Sequence, residues 1–558
     1  MSSLSIAEPA NVQESTSTNP VATGIDLRSS TELLEAIRAN FIPSFRSELH
    51  LLSQCISDAE RDVQRCDEGI QRCDEEIQKL RAKLDSLQKE RNERCRQFHR
   101  YRSLLAPIRR LFPELLSRIF WFACPKTRVT GDGIDCSVIR VSQVCARWRE
   151  VARSTSTLWS SFHIDLDVSR YGIEVIEPMI TTHLELSRNS PLSFALTAFD
   201  QSPKLQCVVD AIVPHSFRWK EVELIGRPFI LDSMSSVKGS LPQLRSLSID
   251  LLEGDNTRQD LFEMAPRLQA LSLRSPRREF LLECVVIPFT QIIDFTVEYG
   301  SYSSALAQLR ALSAVRNLKV NHCWYDENMT SVAPITLHNM SSVSMIIPVQ
   351  FDNDLNNGSL RLHLDRLTLP NLEVLRLETV LPRHDSLPLV RLRDVTELPD
   401  FVKRSSCVIR TLILANIGLN DNDTLSIVRN LPTLQNLMIH DWMLPYVVKH
   451  PTITNHLIRQ LTIDPVESSS PRLLPHLKTL NLRPSVSFLL KAFVDMVQSR
   501  WIPNQIYSDE LGVDSLTSVT LHLIRSLKDE LENELEEGLE PLRAMESAGL
   551  CLKLSTDW

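Results

Sequence analysis

A chain of 558 residues exceeds what a single hydrophobic core organises, so two or three units are expected. Apolar residues make up 43% and charged residues 23%, close to soluble globular averages, which argues against global disorder. The 14 glycines are about 2.5% of the chain, against a usual share of roughly 7%, and this disfavours folds built on glycine-rich phosphate loops or tight hairpins. With 61 Lys and Arg against 69 Asp and Glu the net charge is -8, and no basic domain stands out, so nucleic acid is not an expected partner.

The 12 cysteines are scattered and form no C-x-x-C, a pattern of reduced thiols in an intracellular protein of the cytoplasm or nucleus. The first residues carry no apolar signal region, and no apolar run is long enough for a membrane span; no membrane association is expected.

In chain order, residues 1–30 are rich in Ser, Thr and Pro and read as a disordered tail. Residues 31–105 read as a long helix. Ile56, Val63, Ile70, Ile77 and Leu84 fall seven apart, and Ala59, Cys66, Cys73, Leu80 and Leu87 follow each by three. This is an a/d heptad seam flanked by charges, the pattern of a coiled coil. It weakens at Arg91 and Arg94 and resumes at Phe98, Tyr101 and Leu105. A coiled-coil partner, self-association and an intramolecular hairpin all fit this pattern.

Residues 106–162 begin APIRRLFPELLSRIFWFAC. Pro113 suits a first helical turn and Glu114 complements its positive end. Leu115, Leu116, Ile119, Phe120 and Phe122 cover much of the helix circumference, so one buried face cannot satisfy them all. A polar stretch around Gly131 and Gly133 reads as a loop. A second helix then carries Ile139, Val144, Cys145, Trp148 and Val151, and Leu158-Trp159 close the segment.

The L-x-P-E-L-L-x-x-I-F opening, the V-C-x-x-W-R centre and the L-W-S ending resemble an F-box, most closely those of mushroom-forming fungi, where a coiled coil runs into a PIRRLPPE-type box. The resemblance covers about a tenth of the chain. It implies a small all-α bundle that docks on a Skp-type adaptor and, through it, on a cullin ubiquitin ligase. Carried over, Leu111, Pro113, Glu114, Leu115, Leu116, Ile119 and Phe120 match the first helix, and Val144, Cys145 and Trp148 the later one, as adaptor-binding residues. Phe112 stands where the family usually has proline, and the Gly131/Gly133 insertion lengthens the middle.

Residues 163–524 repeat. Apolar-x-x-apolar-x-apolar triplets start at Leu244, Leu268, Ile292 and Val315, with spacings of 24, 24 and 23. They continue at Leu372, Ile409, Leu434, Ile458 and Leu477, with a degenerate copy at Met340/Val343/Met345. A period near 24 with L-x-x-L-x-L is the signature of leucine-rich repeats, here irregular, each copy giving one strand of a parallel sheet. Phe194/Leu196 and Val222/Leu224 are candidate strands upstream, and Leu516/Val519/Leu521 a last strand. Residues 525–558, with Leu527, Leu531, Leu535 and Leu539 four apart, read as an acidic C-terminal helix and cap. The fold class is therefore α/β: an N-terminal coiled-coil helix, an all-α F-box bundle, and an irregular leucine-rich-repeat solenoid with parallel strands.

No G-x-S-x-G, G-x-G-x-x-G, G-K-[ST] or H-E-x-x-H occurs, so no catalytic residue, metal site or cofactor is expected. His322-Cys323 reads as a repeat position rather than a metal ligand pair. Residues between and after the inward leucines face the open side of the sheet, and Arg274, Glu298, Asn321, Arg376, Glu378, His440 and Arg483 are the candidate contacts for a protein client. Together these features point to a non-catalytic substrate receptor of a Skp-cullin-F-box ligase. The alternative is a coiled-coil and repeat scaffold with a vestigial box.

Overall fold

The computed structural model describes residues 34–35, 37–40, 42–43, 46–130, 133–167, 171–252, 259–274, 285–299, 302–323, 333–347, 364–379, 397–417, 419–441, 451–464, 472–485, 489–523 and 538–556. The expected tail of residues 1–30 lies outside them, as do Gly131 and three of the four leucines expected on the C-terminal helix, Leu527, Leu531 and Leu535. The chain divides into two units, Met1–Leu111 and Phe112–Trp558.

The first unit is dominated by one unbroken helix, α1 (Arg46–Leu104), of 59 residues. At 1.5 Å per residue it is about 88 Å long. Its continuity removes the intramolecular hairpin from consideration. The heptad seam is bare: Ile56, Val63, Ile70, Ile77, Leu80, Leu84 and Leu87 are all exposed. A short 3-10 turn, Pro107–Arg110, follows.

The second unit opens with helix α2 (Pro113–Ala123), then strands β1 (Thr127–Thr130) and β2 (Gly133–Asp135), then helices α3 (Ser137–Ser142) and α4 (Ala146–Ser154). Two expectations change here. The insertion is a β-hairpin rather than a loop, and β1 pairs in parallel with β3 (Ser161–Asp165), so the segment is not all-α. Val129, fully buried and opposite Ile164, anchors the hairpin to the sheet. The expected single second helix is two, because Cys145 turns extended and caps α4, its Sγ accepting from the Trp148 backbone N–H at 3.5 Å.

After β3 come α5 (Ile173–Ser187), β4 (Leu192–Ala198), α6 (Pro203–Ile212), β5 (Trp219–Gly226), α7 (Phe229–Ser233), β6 (Ser246–Leu251), β7 (Ala270–Arg274) and β8 (Asp294–Glu298). Next are α8 (Tyr302–Leu309), β9 (Asn317–Asn321), β10 (Ile335–Thr336), β11 (Ser342–Ile347), β12 (Leu367–Thr368), β13 (Val374–Thr379), α9 (Glu397–Ser405) and β14 (Thr411–Ala415). The chain ends with α10 (Asp421–Arg429), β15 (Asn436–His440), α11 (Asn455–Leu461), β16 (Thr479–Arg483), α12 (Leu490–Arg500), α13 (Gln505–Leu511), β17 (Ser518–Leu523) and β18 (Cys551–Thr556).

Among the described residues, sixteen strands form one sheet; β10 and β12 pair separately. From β3 to β18 the strands of this sheet lie side by side in chain order, every neighbour parallel, and only the β1–β2 pair is antiparallel. The protein is thus mixed α/β around a large, mostly parallel sheet. The register explains why the triplets repeat. Leu247, Leu271, Phe295, Leu318, Val343, Leu375, Leu412, Leu437, Leu480 and Val519 stand opposite one another in succession, one ladder of buried side chains across ten strands. Alternation puts the intervening polar residues on the other face.

Phe194/Leu196 and Val222/Leu224 fall on β4 and β5, and the degenerate Met340 copy becomes a full strand, β11. The copy at Ile458/Leu461/Ile463 does not form a strand. Thr454 caps a helix there, accepting from Leu457 N–H, and Leu457, Ile458 and Leu461 bury on one side of α11. Ile458 and Leu461 are three apart in both patterns, but Leu457 four before Leu461 completes a helical face, and the cap starts the helix. The last strand is β18 rather than β17, reached through a helical stretch at 538–547 that buries Leu539.

Among the described residues, two arginines sit inside the core. Arg218 donates to Ser187 Oγ, Ser190 O and Leu184 O at 3.0, 2.9 and 3.1 Å, tying the end of α5 to β5. Arg500, 1% exposed, donates to the carbonyls of Leu461, Leu474 and Leu473. Burial lowers its pKa to about 10. Gly226 ends β5 at φ 147°, and a Cβ there would overlap the Ala198 carbonyl oxygen.

Candidate interaction surfaces

The first candidate surface is built on α2. Pro113 occupies the first helical position and Glu114 the first turn, after Phe112 in extended conformation. From there the helix sorts its apolar residues by angle. Leu116 and Phe120, 0% and 1% exposed, point into the unit, and the Phe120 ring lies 4.9 Å from that of Trp148 on α4. The 3-10 turn Ser156–Leu158 closes this small core: Trp159 Nε1 donates to Ala152 O at 2.8 Å, and the indole packs edge-on against His183 of α5 at 5.3 Å. His183 is buried and bonded at both ring nitrogens, to Met179 O at 3.0 Å and to Thr127 Oγ1 of β1 at 2.9 Å. Burial holds its pKa below the ordinary imidazole value.

The outer stripe of α2 is the reverse. Phe112, Leu115, Ile119 and Phe122, spaced three, four and three apart, are 70%, 49%, 42% and 71% exposed. Trp121 is exposed beside Phe122, their rings edge to face at 4.8 Å. On α3 and after it, Ile139 and Val144 are exposed as well. Large apolar side chains presented this densely are unusual on a surface that meets only water.

Of the ten expected adaptor-binding residues, Pro113, Glu114, Leu115, Ile119 and Val144 are exposed. Cys145 and Trp148 are half-buried, and Leu116 and Phe120 are in the core. Leu111 is half-buried and belongs to the first unit. Phe112, Trp121, Phe122 and Ile139 carry much of the exposed apolar surface without having been placed in that set. The i, i+3, i+7, i+10 spacing from Phe112 through Phe122 is the signal that identifies its outer stripe.

The second candidate surface is the polar face of the sheet. Six of the seven expected client contacts share one register row, which runs Asp250, Arg274, Glu298, Asn321, Ile346, Glu378, Ala415, His440, Arg483; Arg376 lies one row back, level with Ser344. The row is interrupted by Ile346 and Ala415. In its first part Arg274 bridges Asp250 at 3.5 Å and Glu298 at 3.2 Å, and Asn321 Nδ2 donates to Glu298 Oε1 at 2.8 Å. Burial pushes the Asp250 carboxyl above its ordinary range, against the lowering pull of Arg274. Arg376 Nη2 pairs with Glu378 on its own strand at 2.6 Å. In the second part His440 Nε2 lies 3.2 Å from Asn481 Oδ1 and the ring 5.7 Å from that of His522. Burial, with the nearby cations of Arg483 and Arg376, holds His440 below its ordinary pKa.

Two residues outside the expected set complete the first cluster. Tyr299 and His322 directly follow Glu298 and Asn321, both with positive φ of 52° and 54°. Their rings stack at 4.8 Å, and the Arg274 guanidinium lies over Tyr299 at 5.0 Å from its centroid. A left-handed residue at a strand end, rare for a non-glycine, is what carries both rings onto this face. His322 stacks on Tyr299 here, and Cys323 is buried.

Neither a family model nor a curated protein matches the chain.

Proposed function

We propose that this protein is a non-catalytic substrate receptor of a Skp-cullin-F-box ubiquitin ligase, acting inside the cell. Residues 112–159 bind the Skp-type adaptor, with Leu115, Ile119 and Val144 burying their exposed apolar surface against it. Phe112 and Phe122 extend that contact. The strand array, read as an irregular leucine-rich-repeat solenoid, holds a protein client on its polar face, where Arg274, Tyr299 and His322 form the most built-up cluster. Ligase activity is borrowed from the cullin complex, and the receptor contributes proximity between client and ubiquitin donor.

One observation carries this reading. The box-like order of residues coincides with a helix that keeps Leu116 and Phe120 for its own core and leaves Phe112, Leu115, Ile119 and Phe122 exposed. The test is co-purification of a Skp-type adaptor with the wild-type chain and with Leu115→Asp/Ile119→Asp. Both side chains are about half exposed, so two charges there leave the inner packing in place while placing unpaired carboxylates in an apolar interface. Retention by wild type alone is expected. Failure of the wild type to bind overturns the reading in favour of a scaffold with a vestigial box.

A further inference from the structure

We infer that α1 pairs with a second copy of this chain as an antiparallel coiled coil, with Ile77 of each copy facing Leu80 of the other. This goes beyond the receptor reading and does not depend on it. The starting observation is the bare seam, with Ile56, Val63, Ile70, Ile77, Leu84 and Leu87 exposed along one unbroken helix. Charge distribution then selects the occupant and its direction.

The positions flanking the seam are acidic in the first part of the helix (Glu60, Asp62, Asp67, Asp74, Glu76) and basic just after the middle (Arg81, Lys83). Two antiparallel copies lay the last acids of this stretch, Asp74 and Glu76, against the other copy's Arg81 and Lys83, while Glu60, Asp62 and Asp67 face the uncharged Cys95, Gln97 and Gln88. With Ile77 facing Leu80, Asp74 stands opposite Arg81 and Glu76 opposite Lys83, each twice by symmetry. Sliding the copies by one heptad either way destroys this. One slide sets Asp74 against Asp74 and Glu76 against Glu76; the other sets Arg81 against Arg81 and Lys83 against Lys83.

The same register resolves the two arginines that interrupt the seam. Arg91 and Arg94 fall opposite the second copy's Cys66 and Val63, beside its Asp67 and Asp62. A parallel, in-register pair would instead stack Arg91 on Arg91 and Arg94 on Arg94 in successive core layers and set Asp62 against Asp67, all like-charged. Side-chain size agrees: antiparallel pairing sets small Ala59 opposite Phe98 and Cys73 opposite Leu84, filling layers that a parallel pair would leave as Ala on Ala and Cys on Cys. The C-terminal ends of the two helices then lie about 75 Å apart along the coiled coil. A dimer so built presents its client-binding units as a bivalent pair.

Sedimentation of the full chain at low micromolar concentration tests this. A dimer is expected for the wild type and a monomer for Ile77→Asp/Leu80→Asp. Direction is read by charge exchange. Lys83→Glu alone is expected to weaken the dimer roughly tenfold, and Glu76→Lys/Lys83→Glu to restore it, because each altered residue meets the other across the antiparallel pair. In a parallel pair Glu76 faces Arg81, so the double exchange sets a new lysine against an arginine and restores nothing. A monomeric wild type, a dimer that survives Ile77→Asp/Leu80→Asp, or a double exchange no better than the single one each overturns the inference.

Discussion

Leu115 and Leu116 are chemically identical neighbours, and the structure assigns them opposite work. Leu116 is fully buried, while Leu115 is about half exposed. Truncating Leu116 to alanine removes three buried carbons, worth about 2–2.5 kcal/mol in transfer alone. The cavity left at this buried site brings the expected loss to about 3–4 kcal/mol. Leu115→Ala gives up only the buried half of a side chain, about 1 kcal/mol. Hydrogen exchange across residues 113–154 distinguishes them. Leu116→Ala is expected to raise exchange of the α2 and α4 amides by about 100-fold or more, where opening precedes exchange, while Leu115→Ala leaves it within about fivefold. On the proposed receptor reading, adaptor affinity is expected to respond in the other sense: Leu115→Ala should weaken it about tenfold with the helix intact, by removing surface that would be buried in the complex. Equal exchange in the two variants, or unchanged affinity for Leu115→Ala beside a wild type that binds, would refute this division of the helix into inner and outer faces.

Two further outcomes follow from the core. Arg500→Met keeps the apolar stem of the side chain but strips three buried carbonyls of their donor; urea unfolding is expected to show a loss of about 2–4 kcal/mol, and a loss within about 0.5 kcal/mol would contradict the clamp. His183 has its folded pKa held below the ordinary value of 6.5, so the unfolded chain takes up the proton first. The stability it contributes is complete above that value and is lost as pH falls below it toward the folded pKa. Between about pH 7.5 and pH 5.5 the wild type is expected to lose more unfolding free energy than His183→Gln; parallel pH profiles would show that the ring is not held neutral by burial.

Much of this fold was legible in the residues. The triplets around Leu247, Leu271, Phe295 and Leu318 announced parallel strands because a strand's period of two obliges alternate side chains to share a face, and stacked copies then align like with like. The heptad from Ile56 to Leu87 announced one long helix for the corresponding reason, a repeat that keeps its apolar residues in a single stripe. Periodicity reports which residues travel together. It does not report what the face meets.

That second question was decided by tertiary structure. Leu116 and Leu115 both read as candidate contacts, and only packing against Trp148 and its neighbours sent the first face inward and left the second outside. The segment at Gly133 became a hairpin because β3 offered an edge with a buried place for Val129; the Ile458 helix, by contrast, follows from a local signal, the Thr454 cap. Tyr299 and His322 lie 23 residues apart in the chain and stack only because adjacent parallel strands place their ends side by side. Sequence alone determined the long helix and most strands of the repeat, through local stereochemistry. Which face was buried, and which distant residues became neighbours, was set by contacts between elements, which no local period encodes.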